Sequence, residues 1–158
     1  RDAVIFSTLD LRNGFFHVPM DENSIKYTSF VTPSGQYEFL RTPFGLCISP
    51  PVFQRYVNFV FRDMIKAGYL LVYMDDLVVV AANVDEGIAR LEAVMGIAAE
   101  YGLDIKWSKC QFLKRTIDYL GYHIQYNAVS PSEVKLLAVR QFPKPKTIKA
   151  VQSFLGLT

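Results

Sequence analysis

Two adjacent acids, Asp75 and Asp76, interrupt the most apolar segment of the sequence, GYLLVYMDDLVVVAA at residues 68–82. Burying a carboxylate is costly unless a partner neutralises it, so the pair needs an explanation. Hard divalent cations such as Mg2+ prefer carboxylate oxygen, and a cation makes clustered carboxylates tolerable. The pair could equally lie in water at a hairpin tip, because aspartate is a common turn residue. Both interpretations stay open at this point.

A third acid, Asp10, closes the apolar segment AVIFSTLDL at residues 3–11. An isolated aspartate at a strand end is more often a turn or cap residue. A site that holds two metal ions about 4 Å apart would gain from a third acidic ligand. Neighbouring side chains of a regular strand point to opposite faces of the sheet. Asp75 and Asp76 can therefore converge on one site only if the chain turns sharply at this pair. The apolar runs 69–74 and 77–82 predict such a tight hairpin.

Hydrophobic periodicity predicts the elements that position these acids. Residues 3–11 predict a buried strand that ends at Asp10. The letters PSGQ lie between two strand-like runs and predict a hairpin at about 27–42. The segments LDIKWSKCQFL and IDYLGYHIQY predict further strands, and SPSEVKLLAVRQF and KTIKAVQSFLG predict the starts of helices around a PKPK linker.

Two longer helices are predicted between the strands. The first begins with Ser49 as its N-cap, carries Pro50 in its first turn and continues to Gly68. The second, NVDEGIARLEAVMGIAAEYG, is capped by Asn83 or Asp85 and closed by Gly102. Its inward face is predicted to comprise Ile88, Leu91, Met95 and Ala98. The element order favours an α+β fold with helices on one face of a sheet.

Composition excludes several classes of protein. The 158 residues are 51% hydrophobic and 14% aromatic, which favours one globular core over disorder. Cys47 and Cys110 have no metal-ligand spacing, so neither a zinc site nor a disulfide framework is supported, and a reducing intracellular setting is expected. No apolar run reaches the roughly 18 residues of a membrane span, and no membrane partner is expected. The net charge of +2 leaves the partner open.

Four motifs occur in order: FSTLDLRNGFFHVPMDENSIKYTSFVTP, TPFGLCISPPVFQR, YMDDLVV and LGYHI. Together they resemble the reverse transcriptases of gypsy-like LTR retrotransposons, which are related to the retroviral enzymes. The resemblance implies a polymerase palm, a ferredoxin- or RRM-like antiparallel sheet with helices on one face, plus part of the fingers. It implies palm and partial fingers at 1–126 and the truncated start of the thumb or connection region at 127–158. The chain is expected to be a piece of a longer polyprotein.

The resemblance also implies roles for the acids. Asp10, Asp75 and Asp76 would form an acidic triad that binds two Mg2+ ions, with Mn2+ as an alternative, and the Leu11 carbonyl would assist. The triad would add deoxynucleotides to a primer 3′-hydroxyl. Lys109 matches a lysine proposed as general acid for pyrophosphate, although lysines are more often simply solvated.

Substrate contacts follow from the same resemblance. Phe15 matches an aromatic steric gate that excludes a 2′-hydroxyl, whereas Phe16 is expected to be an ordinary core residue. Phe44 and Gly45 would line the nucleotide pocket. The expected template and primer contacts are Ser49, Pro50, Tyr73, Met74, Leu120, Gly121 and Tyr122; plain strand positions are the alternative for the last three.

The expected partners are an RNA or DNA template with its primer, deoxynucleoside triphosphates and the other polyprotein domains: fingers, thumb, RNase H and integrase. The expected location is the cytoplasm, within virus-like particles.

Cys47, Ile48 and Trp107 depart from the usual family pattern and put template-side contacts in question. An inactive relative that only binds nucleic acid, a two-metal nucleotidyl cyclase and an RNA-binding module are the alternatives. The cyclase does not account for TPFG or YLGYHI, and the RNA-binding module predicts exposed aromatic residues in place of an acid pair.

Overall fold

The computed structural model describes residues 3–157. The chain divides into two compact units, residues 3–114 and residues 115–157. The predicted boundary between residues 126 and 127 separates the palm and partial fingers from the start of the thumb or connection region. It stays a prediction. No helix among residues 3–157 has the length and apolarity to cross a membrane.

The first unit contains six strands and three α-helices, with 3₁₀ turns between them. In chain order these are β1 (Ile5–Asp10), β2 (Phe30–Thr32), β3 (Gly35–Tyr37), α1 (Ser49–Val60), α2 (Arg62–Lys66), β4 (Leu70–Tyr73), β5 (Asp76–Ala81), α3 (Val84–Glu100) and β6 (Gln111–Lys114). The 3₁₀ turns are Gly14–His17, Ile25–Thr28 and Trp107–Lys109.

Four antiparallel strands form the central sheet, in the order β4-β5-β1-β6. The predicted strand that ends at Asp10 and the predicted strand pair are therefore confirmed. The predicted position of both acids at the tip is wrong for Asp76, which is the first residue of β5 and pairs with Tyr73, so the turn is Met74–Asp75. The hairpin predicted at about 27–42 is also confirmed, as the pair β2 and β3. The strand predicted for LDIKWSKCQFL is wrong before Gln111, because the Trp107–Lys109 3₁₀ turn precedes β6.

The helices share one face of this sheet. Leu9 and Leu77 lie opposite each other in β1 and β5, and both belong to the hydrophobic cluster that also contains Phe53 of α1 and Val94 of α3. Side chains alternate along a strand, so this face of β1 and β5 is the one that the helices cover. The predicted α+β arrangement with helices on one face is confirmed.

Helix α3 begins as predicted, because the side chain of Asn83 accepts a hydrogen bond from the Glu86 amide. Its predicted inward face is partly wrong, since Ile88 is exposed. The residues buried along α3 are Gly87, Leu91, Val94 and Ala98. Glycine is small enough for α3 to lie close to the sheet at residue 87, which turns the neighbouring Ile88 outward.

The helix predicted at 49–68 is interrupted at Phe61, which lies between α1 and α2. The interruption buries the adjacent residues Val60 and Phe61, which a regular helix would place about 100° apart. The N-cap predicted at Ser49 is wrong. Ser49 is the first helical residue, and its hydroxyl donates to the Pro43 carbonyl oxygen over 2.7 Å in place of capping the helix.

The second unit contains a three-stranded antiparallel sheet followed by two helices. Its elements are β7 (Thr116–Tyr119), β8 (Tyr122–Gln125), β9 (Ala128–Pro131), α4 (Glu133–Arg140) and α5 (Ile148–Leu155). The hydroxyls of Ser132 and Thr147 cap the two helices by accepting backbone N–H groups of the first turn. Both predicted helical starts are confirmed.

Candidate active site

The register of the central sheet places Asp10 directly opposite Asp76. Residues directly opposite in an antiparallel pair point to the same face, with Cβ atoms about 4.5–5.5 Å apart. Because Leu9 and Leu77 point into the core, the two carboxylates point to the opposite face of the sheet. Two like charges in this position repel each other. The fold therefore concentrates negative charge at one end of β1 and β5.

The second acid of the pair, Asp75, lies in the turn between β4 and β5. Tyr73 is paired with Asp76, so the turn consists of only Met74 and Asp75. Met74 has a φ of 55°, in the left-handed region that costs about 1–2 kcal/mol for a residue other than glycine. The Asp75 carbonyl accepts a hydrogen bond of 2.8 Å from the Leu11 amide. This bond ties the turn to the end of β1, next to Asp10.

Lys109 supplies positive charge to this cluster of acids. Its Nζ lies 3.0 Å from Oδ2 of Asp10, whose side chain is only 15% exposed. The pKa of Lys109 is raised, chiefly by its hydrogen bond to Asp10 and by the charge of that carboxylate. Lys109 therefore stays an ammonium group at neutral pH.

The pKa of Asp76 is raised above that of an ordinary aspartate. Burial is the largest cause, followed by the charges of Asp75 and Asp10, while Lys109 lowers the pKa. Each of these causes except Lys109 disfavours the ionised carboxylate. A further cation at this position would relieve the same repulsion.

The oxygen ligands of the site fit a hard divalent cation such as Mg2+. Within residues 3–157, however, no three Asp, Glu, His or Cys side chains converge into a group that could hold a metal ion. Asp10 contacts Lys109, and Asp75 is exposed at the turn. Asp10 and Asp76 are thus brought together by the fold, whereas a complete set of three ligands is not.

Phe15 and Phe44, both predicted to contact the nucleotide, touch each other. Their ring centroids are 4.9 Å apart, and Phe15 also meets the buried ring of Phe53 at 5.6 Å. Phe44 is 62% exposed, so one ring of the pair faces solvent while the other is held against the core. Gly45 has a φ of 95°, which explains why a glycine follows Phe44.

The core position expected for Phe16 is wrong, because that ring is 38% exposed. It lies against Phe39 and Phe44 at centroid distances of 6.4 Å and 5.5 Å. The 3₁₀ turn Gly14–His17 places consecutive aromatic rings on different sides, and the inward position is taken by Phe15.

The residues predicted to contact template and primer differ in exposure. Ser49 is fully buried, and its hydroxyl donates a hydrogen bond to the Pro43 carbonyl oxygen. The next residue, Pro50, is exposed. Tyr73 is 55% exposed and, opposite Asp76, lies on the same face as the acids. Met74 is half-buried.

Leu120 and Gly121 form the two-residue turn between β7 and β8, and both have positive φ. Tyr122 follows the turn, and the Lys135 ammonium lies 4.9 Å from the centre of its ring. These three residues belong to the second unit.

Gln54 of α1 was missed by the sequence reasoning. Its Oε1 accepts a hydrogen bond of 2.7 Å from the amide of Met74 in the turn that carries Asp75. The signal in the sequence is weak: Gln54 is a polar residue between the buried positions Phe53 and Val57 in a predicted helix.

Comparison with known proteins places these features in a family. The sequence profile of the family described as reverse transcriptase (RNA-dependent DNA polymerase) matches residues 1–124. The chain is 37% identical over 153 residues to the retrovirus-related Pol polyprotein from transposon 297 of Drosophila melanogaster, covering 97% of the chain and 14% of that protein. It is 32% identical to the corresponding polyprotein from transposon gypsy of the same organism, covering 98% of the chain and 15% of the relative. The chain thus spans about a seventh of these relatives.

Solved structures share the fold. A foamy viral protease-reverse transcriptase in complex with double-stranded DNA matches with a TM-score of 0.90 and 28% identity, over 99% of the chain and 27% of that structure. The same kind of protein in complex with an RNA/DNA hybrid matches with a TM-score of 0.85 and 28% identity, over 99% of the chain and 21% of that structure.

Proposed function

This chain belongs to the reverse transcriptase family, and from that premise we propose that it is the palm, with part of the fingers, of an RNA-directed DNA polymerase. The observation that carries the proposal is the position of Asp10 opposite Asp76, beside the turn that carries Asp75. The proposed reaction adds a deoxynucleotide to the 3′-hydroxyl of a primer and releases pyrophosphate.

Asp10 and Asp75, with the Leu11 carbonyl oxygen, would hold two Mg2+ ions, with Mn2+ as an alternative, and Asp76 would take a less direct part. When bound, the ions favour ionisation of the primer hydroxyl and neutralise the triphosphate. The β4–β5 turn holds Asp75 next to the end of β1 through the bond from the Leu11 amide to the Asp75 carbonyl, 2.8 Å long. Asp76 adds negative charge, which increases the attraction for cations.

Lys109 has two successive roles in this proposal. Before substrate and cations bind, its ammonium neutralises Asp10. In the second role, Lys109 would leave Asp10 and donate a proton to the departing pyrophosphate. Until then the contact with Asp10, which raises the pKa of Lys109, keeps the group protonated.

Phe15 is proposed to select the sugar of the incoming nucleotide. Its ring is fixed from behind by Phe53, 5.6 Å away, so it cannot easily retreat from a 2′-hydroxyl. A phenyl ring also offers that hydroxyl no hydrogen bond. Phe44 and Gly45 would complete the nucleotide pocket, with Phe44 in contact with Phe15.

The template and primer are proposed as partners because related foamy viral proteins were solved with double-stranded DNA and with an RNA/DNA hybrid. Tyr73 and Met74 would lie near the primer end, Pro50 near the template, and Leu120, Gly121 and Tyr122 would form a primer grip. The remaining polyprotein domains, namely the rest of the fingers, the thumb, RNase H and integrase, are proposed to complete the enzyme.

Primer extension on an RNA template tests this function. It compares Asp75→Asn with wild type in the longest polypeptide that contains this chain. We expect Asp75→Asn to lower kcat at least about a hundredfold, because bound metal ions contribute several kcal/mol of charge stabilisation. Asp63→Asn is the matched control, since it removes the same charge from an exposed residue of α2. Equal extension by Asp75→Asn and wild type would show that the two-metal assignment is wrong.

A relative that binds nucleic acid without polymerising is the second candidate. It is favoured by the finding that no three metal-ligating side chains converge within residues 3–157. In that case wild type would bind a template–primer duplex but fail to extend it at any Mg2+ or Mn2+ concentration. Extension by wild type would eliminate this candidate.

A further inference from the structure

We infer that Gln54 is a positioning residue, which holds the Met74–Asp75 turn from α1 and thereby keeps Asp75 beside Asp10. The inference rests on the proposed function, because it assigns Gln54 a role in the arrangement of the proposed metal ligands. Gln54 lies four residues after Pro50 on α1, and its side chain bonds the turn.

The hydrogen bonds of Gln54 define how its amide group is oriented. Oε1 accepts from the Met74 amide over 2.7 Å, whereas Nε2 donates to Oδ1 of Asn58 over 3.0 Å. A longer contact of 3.5 Å joins Nε2 to the Val72 carbonyl of β4. The Met74 N–H can only donate, so the reverse orientation of the Gln54 amide would set a donor against a donor at Met74 and an acceptor against the Val72 carbonyl. Gln54 therefore presents an acceptor to the turn.

The turn needs such a partner because its first residue is not glycine. Met74 has a φ of 55°, and the first central position of a two-residue hairpin turn with positive φ is usually glycine. A conformation of this kind persists only where the surrounding structure specifies it. Two bonds to neighbouring elements do so: Gln54 holds the Met74 amide, and Leu11 holds the Asp75 carbonyl at 2.8 Å. The turn is thus attached at consecutive residues to α1 and to the end of β1.

Helix α1 is a firm support for this bond. The residues before and three after Gln54, Phe53 and Val57, are fully buried in the core. Gln54 is half-buried, so water competes less for its hydrogen bonds than at an exposed position. A small displacement of Met74 would move the adjacent Asp75, so a side chain of α1 influences the position of an acid in the β4–β5 turn.

Three variants separate the acceptor role from a general contribution to stability. Gln54→Glu keeps an oxygen acceptor for the Met74 amide, whereas Gln54→Met removes it in a side chain of similar length. Asn58→Ala is the matched control, because it removes the partner of Nε2 and leaves the bond to Met74 in place. Thermal unfolding identifies variants that fail to fold.

The experiment measures primer extension and hydrogen exchange of the Met74 amide in the longest polypeptide that contains this chain. Gln54→Met is expected to lower kcat about tenfold or more, by analogy with the loss of groups that orient metal ligands, because Gln54 holds the residue next to Asp75. KM for template–primer should be unchanged. The Met74 amide should lose protection in Gln54→Met and keep it in Gln54→Glu and Asn58→Ala. Gln54→Glu should retain most of the wild-type kcat.

Wild-type kcat and wild-type Met74 protection in Gln54→Met would overturn the inference, as would an equal loss of kcat in Asn58→Ala. If Gln54→Met fails to fold, Gln54→Glu decides: loss of Met74 protection in this variant would overturn the inference. A wild-type protein that does not extend primers would refute the proposed function instead. The exchange of the Met74 amide would still report whether Gln54 holds the turn.

Discussion

Lys109 contacts Asp10 across 99 residues of sequence, with Nζ 3.0 Å from Oδ2. The contact joins the 3₁₀ turn before β6 to the end of β1, at the point where Asp10 faces Asp76. The lysine thus places a positive charge beside carboxylates that repel each other. In the proposed enzyme a metal ion would have to share Asp10 with this lysine or displace it.

Replacing Lys109 should make the protein more dependent on divalent cations. Without its ammonium group, Lys109 no longer offsets the repulsion between Asp10 and Asp76, so Lys109→Met should unfold at a lower temperature than wild type in EDTA. Added Mg2+ should then raise the melting temperature of the variant more than that of wild type, because a ligand of the native state stabilises it by mass action. Lys114→Met removes the same charge from exposed β6 and should leave the Mg2+ effect unchanged. An equal Mg2+ effect in wild type and Lys109→Met would contradict this prediction.

The raised pKa of Asp76 predicts how stability depends on pH in metal-free protein. A pKa raised by folding means that the native state binds the proton more tightly, so this contribution to stability is full below the unfolded pKa, about 3.9. It is lost as pH rises through the folded pKa. Asp76→Asn should therefore be more stable than wild type at pH 7, by less than about 1 kcal/mol because the group is partly exposed.

The advantage of Asp76→Asn should shrink as pH falls and vanish near pH 4. Denaturant unfolding at several pH values in EDTA measures it. Asp63→Asn, which lacks the buried and acidic surroundings, should show no such trend. A constant difference between Asp76→Asn and wild type across this range would mean that burial and neighbouring acids do not act on Asp76 as described.

Removing the ring of Phe15 should weaken sugar selection. In Phe15→Ala the space next to Phe44 opens, and a 2′-hydroxyl no longer meets a fixed ring. The ratio of kcat/KM for deoxynucleotides to kcat/KM for ribonucleotides should fall at least about tenfold, which corresponds to 1.4 kcal/mol of discrimination. Phe16→Ala is the matched control, since it removes the same ring from the adjacent, more exposed position. Unchanged selectivity in Phe15→Ala would remove its gate role.

Gly14 should be intolerant of a side chain for a reason unrelated to backbone conformation. A Cβ at this position would lie 2.7 Å from Cζ of Phe53, a ring with no exposed surface. Gly14→Ala should reduce the free energy of unfolding by about 1–3 kcal/mol through overpacking. In Gly96→Ala of α3 nothing lies within 4 Å of the new Cβ, so this control should be neutral or stabilising by up to about 1 kcal/mol. Denaturant unfolding of both variants would measure the difference, and equal stabilities would show that Phe53 can move aside.

Local sequence patterns were sufficient for most elements of the fold. The apolar runs around Asp75 and Asp76 predicted β4 and β5, because a buried strand and a tight turn each have a local signature. The same holds for the cap of α3 at Asn83. Errors arose where packing overrode the local pattern, as at Ser49, whose hydroxyl bonds the Pro43 carbonyl oxygen in place of capping α1.

The sequence by itself determined the kinds of residue available to the site and the family to which they belong. Only the tertiary structure decided that Asp10 lies opposite Asp76, that Lys109 contacts Asp10 and that Gln54 holds Met74. The physical reason is that periodicity and turn chemistry act over a few residues, whereas strand register and side-chain contacts depend on how distant elements pack together. The residues next to Asp10 and Lys109 in the sequence do not distinguish either one. Their contact follows from the alignment of β1 with the segment that leads into β6.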